Sequence, residues 1–214
     1  MTILPASDRS LLISFSDAIS TDAHRAVMRL TTGLNGAREV LNLHPAYASV
    51  LVDFDPRRNS HAEIEALVRA CFRSTPEPAA DSGRLIEIPV CYGGAVGPDL
   101  ADVARHTGLT PERVIELHSG AEYTVYFLGF SPGFPYLGGM PAELATPRLP
   151  APRKYVPAGS VAIGGSQTGV YPMASPGGWR LIGRTGLRLF DPEAVPPALL
   201  RMGAHIRFVP VSEL

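Results

Sequence analysis

The sequence predicts an α+β fold whose two parts differ in their pattern of residues. In the first part, apolar runs and amphipathic segments follow the order strand-helix-strand-strand-helix-strand, which is the split βαβ arrangement. In the second part, many short apolar runs are separated by Gly and Pro turns, which is typical of a β-barrel or β-sandwich. We therefore expect one domain over residues 1–83 and a second, β-rich domain over residues 84–214.

Local signals define the elements of the first part. A polar residue at position 20 or 21 caps a helix that Gly33 ends. Ser60 and Glu63 have the spacing of a capping box, and they predict a second helix that ends before Pro76. Short apolar or alternating runs predict strands at 11–15, 40–43, 47–54 and 84–90. Residues 74–83, with the sequence STPEPAADSG, predict a linker.

The second part begins with two short helices and continues as strands. Thr110 and Pro111 form a favourable helix start, and they separate a helix over 99–106 from one over 111–118. Apolar runs predict strands at 123–128, 160–163, 179–182, 187–190 and 205–209, and a helix over 192–202.

Charge and composition exclude several classes of protein. The helix pair resembles a DNA-binding helix-turn-helix, but four acidic residues oppose two arginines between positions 99 and 118, so we expect no nucleic-acid partner. No apolar run is long enough to span a membrane, and the N-terminus lacks the features of a signal peptide. Cys71 and Cys91 lie outside any metal-binding spacing. We therefore expect a cytoplasmic chain with reduced cysteines, no metal site and no membrane partner.

Charged residues make up only 18% of the chain. About 25% is usual for a soluble domain, so part of the surface is expected to be covered by another chain.

The segment 126–191 concentrates the residues that shape binding loops. It holds 12 of the 21 glycines and 9 of the 21 prolines, together with many of the aromatic residues. Six basic residues oppose two acidic ones, which gives the segment a net charge of +4 in a chain of net charge −1. Ordered basic loops with special backbone angles favour an anionic ligand or an acidic partner surface.

Two glycine motifs in this segment have alternative interpretations. Residues 129–133 match G-x-S-x-G, but Pro132 follows Ser131 and has no N–H for an oxyanion hole, so a shaped turn is the better interpretation. Residues 164–169 lack the Lys-Ser/Thr of a phosphate-binding P-loop. They predict either a tight hairpin or a backbone cradle for an anion, in which Gln167 and Thr168 add polar contacts.

Single side chains complete the set of candidates. Arg148, Arg153 and Arg184 lie in or beside the loops, and guanidinium groups suit carboxylates and phosphates. Trp179 either lines a pocket or anchors the core, and His118 either contacts a ligand or ends its helix as a satisfied core group. No nucleophile-base pair or carboxylate pair stands out, so the catalytic residues stay unassigned.

Several blocks in order resemble a known family. They are GFSPGFPYLGG at 129–139, PR at 147–148, PR at 152–153, VPAGSVAIGGSQTGVYP at 156–172, PGGW at 176–179, IGRT at 182–185 and LFDP at 189–192. The chain is identified by them as a member of the family of 5-oxoprolinase B subunits, also called the allophanate hydrolase subunit 1 family, which includes the kinase inhibitor KipI. It departs from the family at Gly186, where a proline is expected.

The resemblance implies an N-terminal ferredoxin-like domain and a C-terminal cyclophilin-like β-barrel. It implies that the C and A subunits of 5-oxoprolinase are partners. It also implies that the complex converts 5-oxo-L-proline to L-glutamate with ATP as co-substrate, together with Mg. Substrate or anion contacts are then expected from Arg153, Gln167, Tyr171 and Arg184, with His118 and Trp179 behind them. Inhibition of a sensor histidine kinase is the alternative function. Membership of a urea carboxylase or allophanate hydrolase system ranks last, because the chain has no biotin-attachment motif.

Overall fold

The computed structural model describes residues 1–77 and 85–213, and the chain divides into two compact units, Met1–Ser82 and Gly83–Leu214. Most of the predicted linker lies outside the described residues; Ser74 ends a helix. No helix among the described residues is both long and apolar enough to cross a membrane.

The N-terminal unit is a four-stranded antiparallel sheet with two helices. Its sheet order is β1-β2-β4-β3. The elements are β1 (Thr2–Ser7), β2 (Ser10–Ser14), α1 (Thr21–Leu34), β3 (Val40–Pro45), β4 (Ser49–Phe54) and α2 (His61–Ser74). Strand β4 alternates between half-buried residues and the buried side chains of Val50, Val52 and Phe54, so one face of the sheet carries the core.

Side-chain caps start both helices, as the sequence predicts. The Ser20 hydroxyl accepts the N–H of Ala23 at 3.2 Å. Ser60 and Glu63 form a reciprocal capping box, in which each side chain accepts the backbone N–H of the other residue.

The last strand of the predicted split βαβ unit is not part of the N-terminal sheet, so this part of the prediction is wrong. The run that begins near residue 84 forms β5 (Ile86–Tyr92), which pairs inside the C-terminal unit. The edge of the N-terminal sheet is instead occupied by β1, which the sequence did not reveal because Thr2–Ser7 has no apolar alternation and contains Pro5. The ferredoxin-like assignment therefore stays a prediction.

The C-terminal unit contains a closed seven-stranded barrel, which confirms the expected α+β architecture. The strand order is β10-β7-β6-β13-β5-β12-β9, and β8 and β11 form a separate two-stranded sheet. After β5, the elements are α3 (Leu100–Thr107), α4 (Pro111–Gly120), β6 (Tyr123–Leu128), β7 (Pro135–Gly138), β8 (Arg153–Val156), β9 (Ser160–Gly164), β10 (Gln167–Val170), β11 (Ser175–Gly177), β12 (Arg180–Arg184) and β13 (His205–Pro210). Strand β13 runs parallel to β5 and antiparallel to β6, so the last strand lies between the first two strands of the barrel.

Two predicted elements in this unit are wrong. Residues 192–202 form turns and bends rather than a helix, because Pro196 and Pro197 lack the backbone N–H that a helix interior needs. Residues 187–190 form no strand. Phe190 instead makes an isolated bridge with Ala198, and Leu189 accepts the N–H of Leu199 at 2.9 Å.

Candidate functional site

An aromatic cluster covers part of the outer surface of the barrel. On β9, Val161 and Ile163 point into the main barrel core, whereas Ala162 points the other way. Phe134, Val156, Tyr171, Trp179 and Leu181 pack with Ala162 in a second, separate core. The Phe134 ring meets the rings of Tyr171 and Trp179 edge-on, with centroids 5.2 and 5.6 Å apart.

A pocket of about 100 Å³ opens at the surface of this cluster. Its lining is aromatic apart from one cation and two glycines: Phe130, Phe134, Tyr136, Arg148, Tyr171, Gly177, Gly178 and Trp179. Gly177 has to be glycine, because a Cβ there would overlap the Tyr171 hydroxyl. Gly164 is also required beneath the pocket, because a Cβ would lie 2.6 Å from atoms of the Trp179 ring.

The Tyr171 hydroxyl is held as a neutral group. Burial raises the pKa of its phenol, while the backbone N–H of Trp179 and the charge of Arg148 partly oppose that shift. A phenol that accepts one hydrogen bond still has its own proton to donate. Tyr171 can therefore offer an O–H to a ligand in the pocket.

Arg148 is the cation of the pocket, and its backbone is fixed on both sides. The N–H of Leu149 donates to the Gly178 carbonyl at 2.7 Å, and Arg180 Nε donates to the Pro147 carbonyl at 3.0 Å. The guanidinium carbon of Arg148 lies 5.7 Å from the centre of the Trp179 ring, in cation–π contact. Arg148 is solvent-exposed, and among residues 1–77 and 85–213 no carboxylate pairs with it.

Most other basic residues of the segment 126–191 are already bound within the chain. Arg153 Nη2 donates to Asp99 Oδ1 at 2.7 Å, and the two side chains are 29% and 6% exposed. Arg180 and Arg188 pair with Asp102 and Asp191, at 3.4 and 3.0 Å. Because Asp99 and Asp102 lie outside the segment, its net charge of +4 overstates the charge available to a ligand. Arg184 donates to the Ala158 carbonyl at 2.8 Å.

The structure brings only two of the six predicted contacts into the pocket, Tyr171 and Trp179. Arg153 on β8 lies opposite the pocket residue Gly177 on β11 in the two-stranded sheet, but its guanidinium binds Asp99 and does not line the pocket. Gln167 starts β10 beside the hairpin turn, and Arg184 ends β12; neither lines the pocket.

His118 is a satisfied group in the barrel core. It is fully buried and stacks on Phe208 with ring centroids 4.4 Å apart. The Thr168 hydroxyl donates to the Ala162 carbonyl at 3.0 Å, so at 2.8 Å it accepts from His118 Nε2–H, and Nδ1 accepts the Tyr92 hydroxyl at 2.7 Å. Burial lowers the pKa of His118 to about 3, which keeps the imidazole neutral.

Both glycine motifs form turns. Residues 164–167 close the β9–β10 hairpin, with Gly165 at φ +67° in the turn. The Gly165 N–H donates to the Thr146 carbonyl at 2.8 Å, so this amide is not available to an anion. This arrangement supports the tight-hairpin interpretation over the anion cradle.

The G-x-S-x-G turn has an unusual backbone. The Ser131 N–H donates to the Gly129 carbonyl at 2.7 Å, which makes a γ-turn with Phe130 at its centre, at φ +65°. Phe130 is the one residue other than glycine, in the described chain, with positive φ. Its side chain is 62% exposed and forms one edge of the pocket. Backbone strain of this kind persists where the surroundings enforce it, often at binding sites.

The described residues contain no group of three His, Cys, Asp or Glu side chains that could hold a metal ion. The pocket lining likewise contains no carboxylate, imidazole or thiol. The described lining of this pocket therefore supplies aromatic walls, one cation and two phenols, but no general base.

Comparison with known proteins shows the family to which the chain belongs. The family model of the carboxyltransferase domain, subdomain C and D, matches residues 1–200, and the chain belongs to this family. It is 47% identical over 207 residues to the B subunit of 5-oxoprolinase from Escherichia coli O157:H7, covering 96% of this chain and 94% of that protein. Identity to the B subunit of 5-oxoprolinase from Bacillus subtilis (strain 168) is 49% over 180 residues, covering 79% and 75%. These relatives confirm the resemblance found in the sequence blocks.

Solved structures show the same fold inside longer chains. The protein TTHA0988 superposes with a TM-score of 0.86 at 39% identity, covering 96% of this chain but only 41% of that one. The urea amidolyase of K. lactis gives a TM-score of 0.80 at 19% identity, covering 98% of this chain and 15% of that one, which shows the fold alone.

The sequence-based prediction missed five residues of the pocket, Phe130, Phe134, Tyr136, Gly177 and Gly178, and did not select Arg148. The aromatic density of residues 126–136 was a usable signal for the first three. The residues next to Arg148 and Arg153 in sequence do not show which of the two guanidinium groups is unpaired, because the carboxylate that binds Arg153 lies 54 residues away.

Proposed function

We propose that this chain is the B subunit of an ATP-dependent 5-oxoprolinase. The observation that carries the proposal is its 41–49% identity to three proteins that are named as B subunits of 5-oxoprolinase. In this proposal the chain acts in the cytoplasm with the C and A subunits, and the complex opens 5-oxo-L-proline to L-glutamate.

The composition of the pocket supports a shared site. A pocket with one cation and two phenols can bind and orient a small acid, but its lining has no group that would accept a proton during catalysis. The missing groups would come from a partner protein that closes over the aromatic wall. If the active site is shared between two proteins, this chain is expected to carry only an incomplete pocket of this kind.

ATP enters the proposal as a co-substrate of the complex, together with Mg²⁺ as the ion that accompanies the nucleotide. Phosphoryl transfer depends on positioning and charge neutralisation, which arginines and metal ions supply. Mg²⁺ prefers oxygen ligands such as carboxylates, and the pocket lining offers none. We therefore place no Mg contact on this chain and leave the nucleotide to the partner proteins.

The two other sequence-based hypotheses gain no specific support. No feature of the described surface favours a sensor histidine kinase as a partner. Similarity to urea amidolyase at 19% identity concerns the fold and not the reaction.

Reconstitution tests the proposal. The chain is co-expressed with the C and A subunits, and ATP-dependent release of glutamate from 5-oxo-L-proline is measured with and without this chain. We expect release only when all three proteins are present. Glutamate release at the full rate without this chain, or none from the assembled complex, would refute the proposal.

A further inference from the structure

We infer that Arg148 binds the carboxylate of a small, flat cyclic acid whose ring rests against the aromatic wall of the pocket. This inference rests on the proposed function and assigns the specificity for the free acid to this chain. Its basis is the combination of an unpaired cation, a rigid backbone and an apolar wall in one pocket.

Arg148 keeps its hydrogen-bond donors available. Its contact with Trp179 is through the face of the ring, with the guanidinium carbon 5.7 Å from the ring centre. Such a contact uses the charge of the guanidinium but none of its five N–H donors. In the part of the chain that the structure describes, no acidic group neutralises Arg148, whereas Arg153, Arg180 and Arg188 each have a carboxylate partner.

The backbone on either side of Arg148 is held in place. Thr146 and Gly165 exchange two backbone hydrogen bonds of 3.0 and 2.8 Å, and Leu149 is bound to Gly178. An arginine on a fixed backbone loses less freedom when it binds a ligand, and a guanidinium can bind a carboxylate through two parallel hydrogen bonds.

The remaining walls select the rest of the ligand. Phe134, Tyr136 and Trp179 present ring surface, and the pocket volume of about 100 Å³ suits a single small ring. Burial raises the pKa of Tyr136 and Tyr171, so both phenols stay neutral, and Tyr171 can donate its O–H to the carbonyl oxygen of a lactam. A free phosphate would satisfy Arg148 but would leave the aromatic surface unused. The observations therefore favour a carboxylate on a carbon ring.

Trp179 gives a direct measurement of binding, because it is the only tryptophan in the 214-residue chain and lines the pocket. The purified chain is titrated with 5-oxo-L-proline, with 2-pyrrolidone, which has the same ring without the carboxylate, and with inorganic phosphate. Tryptophan fluorescence is excited where tyrosine does not absorb. We expect a saturable change with 5-oxo-L-proline, and little change with the other two.

Substitutions at Arg148 test the assignment. Arg148→Gln should weaken binding of 5-oxo-L-proline by about 10- to 100-fold, which is the loss of a charged hydrogen-bond pair. Arg148→Lys should recover part of the affinity, because it keeps the charge and loses the paired hydrogen bonds. Arg188→Gln is the matched control, because Arg188 pairs with Asp191 at the surface outside the pocket lining, and its affinity should equal that of the wild type. Far-ultraviolet circular dichroism verifies that the variants are folded.

Three outcomes would overturn the inference: no fluorescence change with 5-oxo-L-proline, equal responses to 2-pyrrolidone, or unchanged affinity in Arg148→Gln. A response to phosphate alone would also overturn it and would assign the pocket to a phosphoryl group. These outcomes are separable from failure of the proposed function, in which the pocket binds the acid but the three-protein mixture releases no glutamate.

Discussion

Asp99 joins Arg153 to the wall of the barrel. Its Oδ1 accepts from Arg153 Nη2 at 2.7 Å, and its Oδ2 accepts the backbone N–H of Leu181, also at 2.7 Å. The pair therefore fixes the β8–β11 sheet, which carries Gly177 of the pocket, to β12 and the start of α3. This connection gives Arg153 a structural role beside the pocket.

The first prediction concerns this ion pair. Arg153→Ala should lower the free energy of unfolding by about 2–4 kcal/mol, because it leaves the nearly buried carboxylate of Asp99 without its cation; the value is near the lower end of the range for buried pairs, since Arg153 is 29% exposed. Urea denaturation measures the change. Arg188→Ala, which breaks an exposed pair, should cost less than about 1 kcal/mol. Equal small losses in both variants would show that the Asp99 pair does not stabilise the fold.

The second prediction concerns pH. The pKa of His118 is lowered from 6.5 to about 3 by burial. Below about pH 6.5, His118 therefore binds a proton in the unfolded chain but stays unprotonated in the folded chain. The free energy of unfolding should therefore fall as the pH is lowered from about 6.5 towards 3, with a contribution of up to about 1.4 kcal/mol per pH unit from this group. Urea denaturation at several pH values measures the slope.

Comparison of variants isolates the contribution of His118. His118→Gln should be less stable at neutral pH, because it disturbs the hydrogen bonds that His118 makes with Tyr92 and Thr168, but its stability should depend less on pH. His106→Gln, at an exposed position, should keep the slope of the wild type. An unchanged slope in His118→Gln would contradict the assignment.

The third prediction concerns the γ-turn at Phe130. At φ +65° a residue with a Cβ is strained, so Phe130→Gly should be more stable than Phe130→Ala by about 1 kcal/mol. Thermal or urea unfolding of the two variants measures this difference. Tyr155 is similarly exposed on β8 and does not have positive φ, so there Ala should be more stable than Gly. If the Ala variant were more stable than the Gly variant at both positions, the turn at Phe130 would not be strained.

The fourth prediction concerns the floor of the pocket. Gly164→Ala should displace the Trp179 ring, shift its fluorescence and cost about 1–3 kcal/mol, because the added methyl has no room. Gly186→Ala is the matched control, since a Cβ there meets nothing within 4 Å and the position does not have positive φ. It should leave the fluorescence unchanged and slightly raise stability. An unshifted Trp179 spectrum in Gly164→Ala would mean that the ring does not rest on this glycine.

The sequence predicted those parts of the fold that local signals encode. The caps at Ser20 and Ser60 located both N-terminal helices to within a residue or two. Strands β7, β8, β10 and β11 were missed because each has only three or four residues and is rich in Gly, Pro or polar residues. Such strands are held by their neighbours in the tertiary structure, and their own composition does not reveal them.

For the candidate site, composition indicated the correct region but could not select the available cation. Tyr171 and Trp179 follow from the clustering of glycine and aromatic residues. The availability of Arg148 depends on which arginines are already paired with carboxylates. Asp99, just before α3, and Asp102, within α3, are the partners of Arg153 and Arg180. Long-range pairing of this kind is a property of the folded chain.

The parallel pairing of β5 with β13 has a consequence during protein synthesis. A nascent chain that has not yet emerged through residue 210 has nothing to fill the gap between β5 and β6, so the barrel stays open with two strand edges exposed. The N-terminal sheet, by contrast, uses only strands from the first 54 residues and can assemble while translation continues. Chaperones that bind unpaired strands should therefore associate with the strands of the open barrel until residues 205–210 have emerged and paired with β5 and β6.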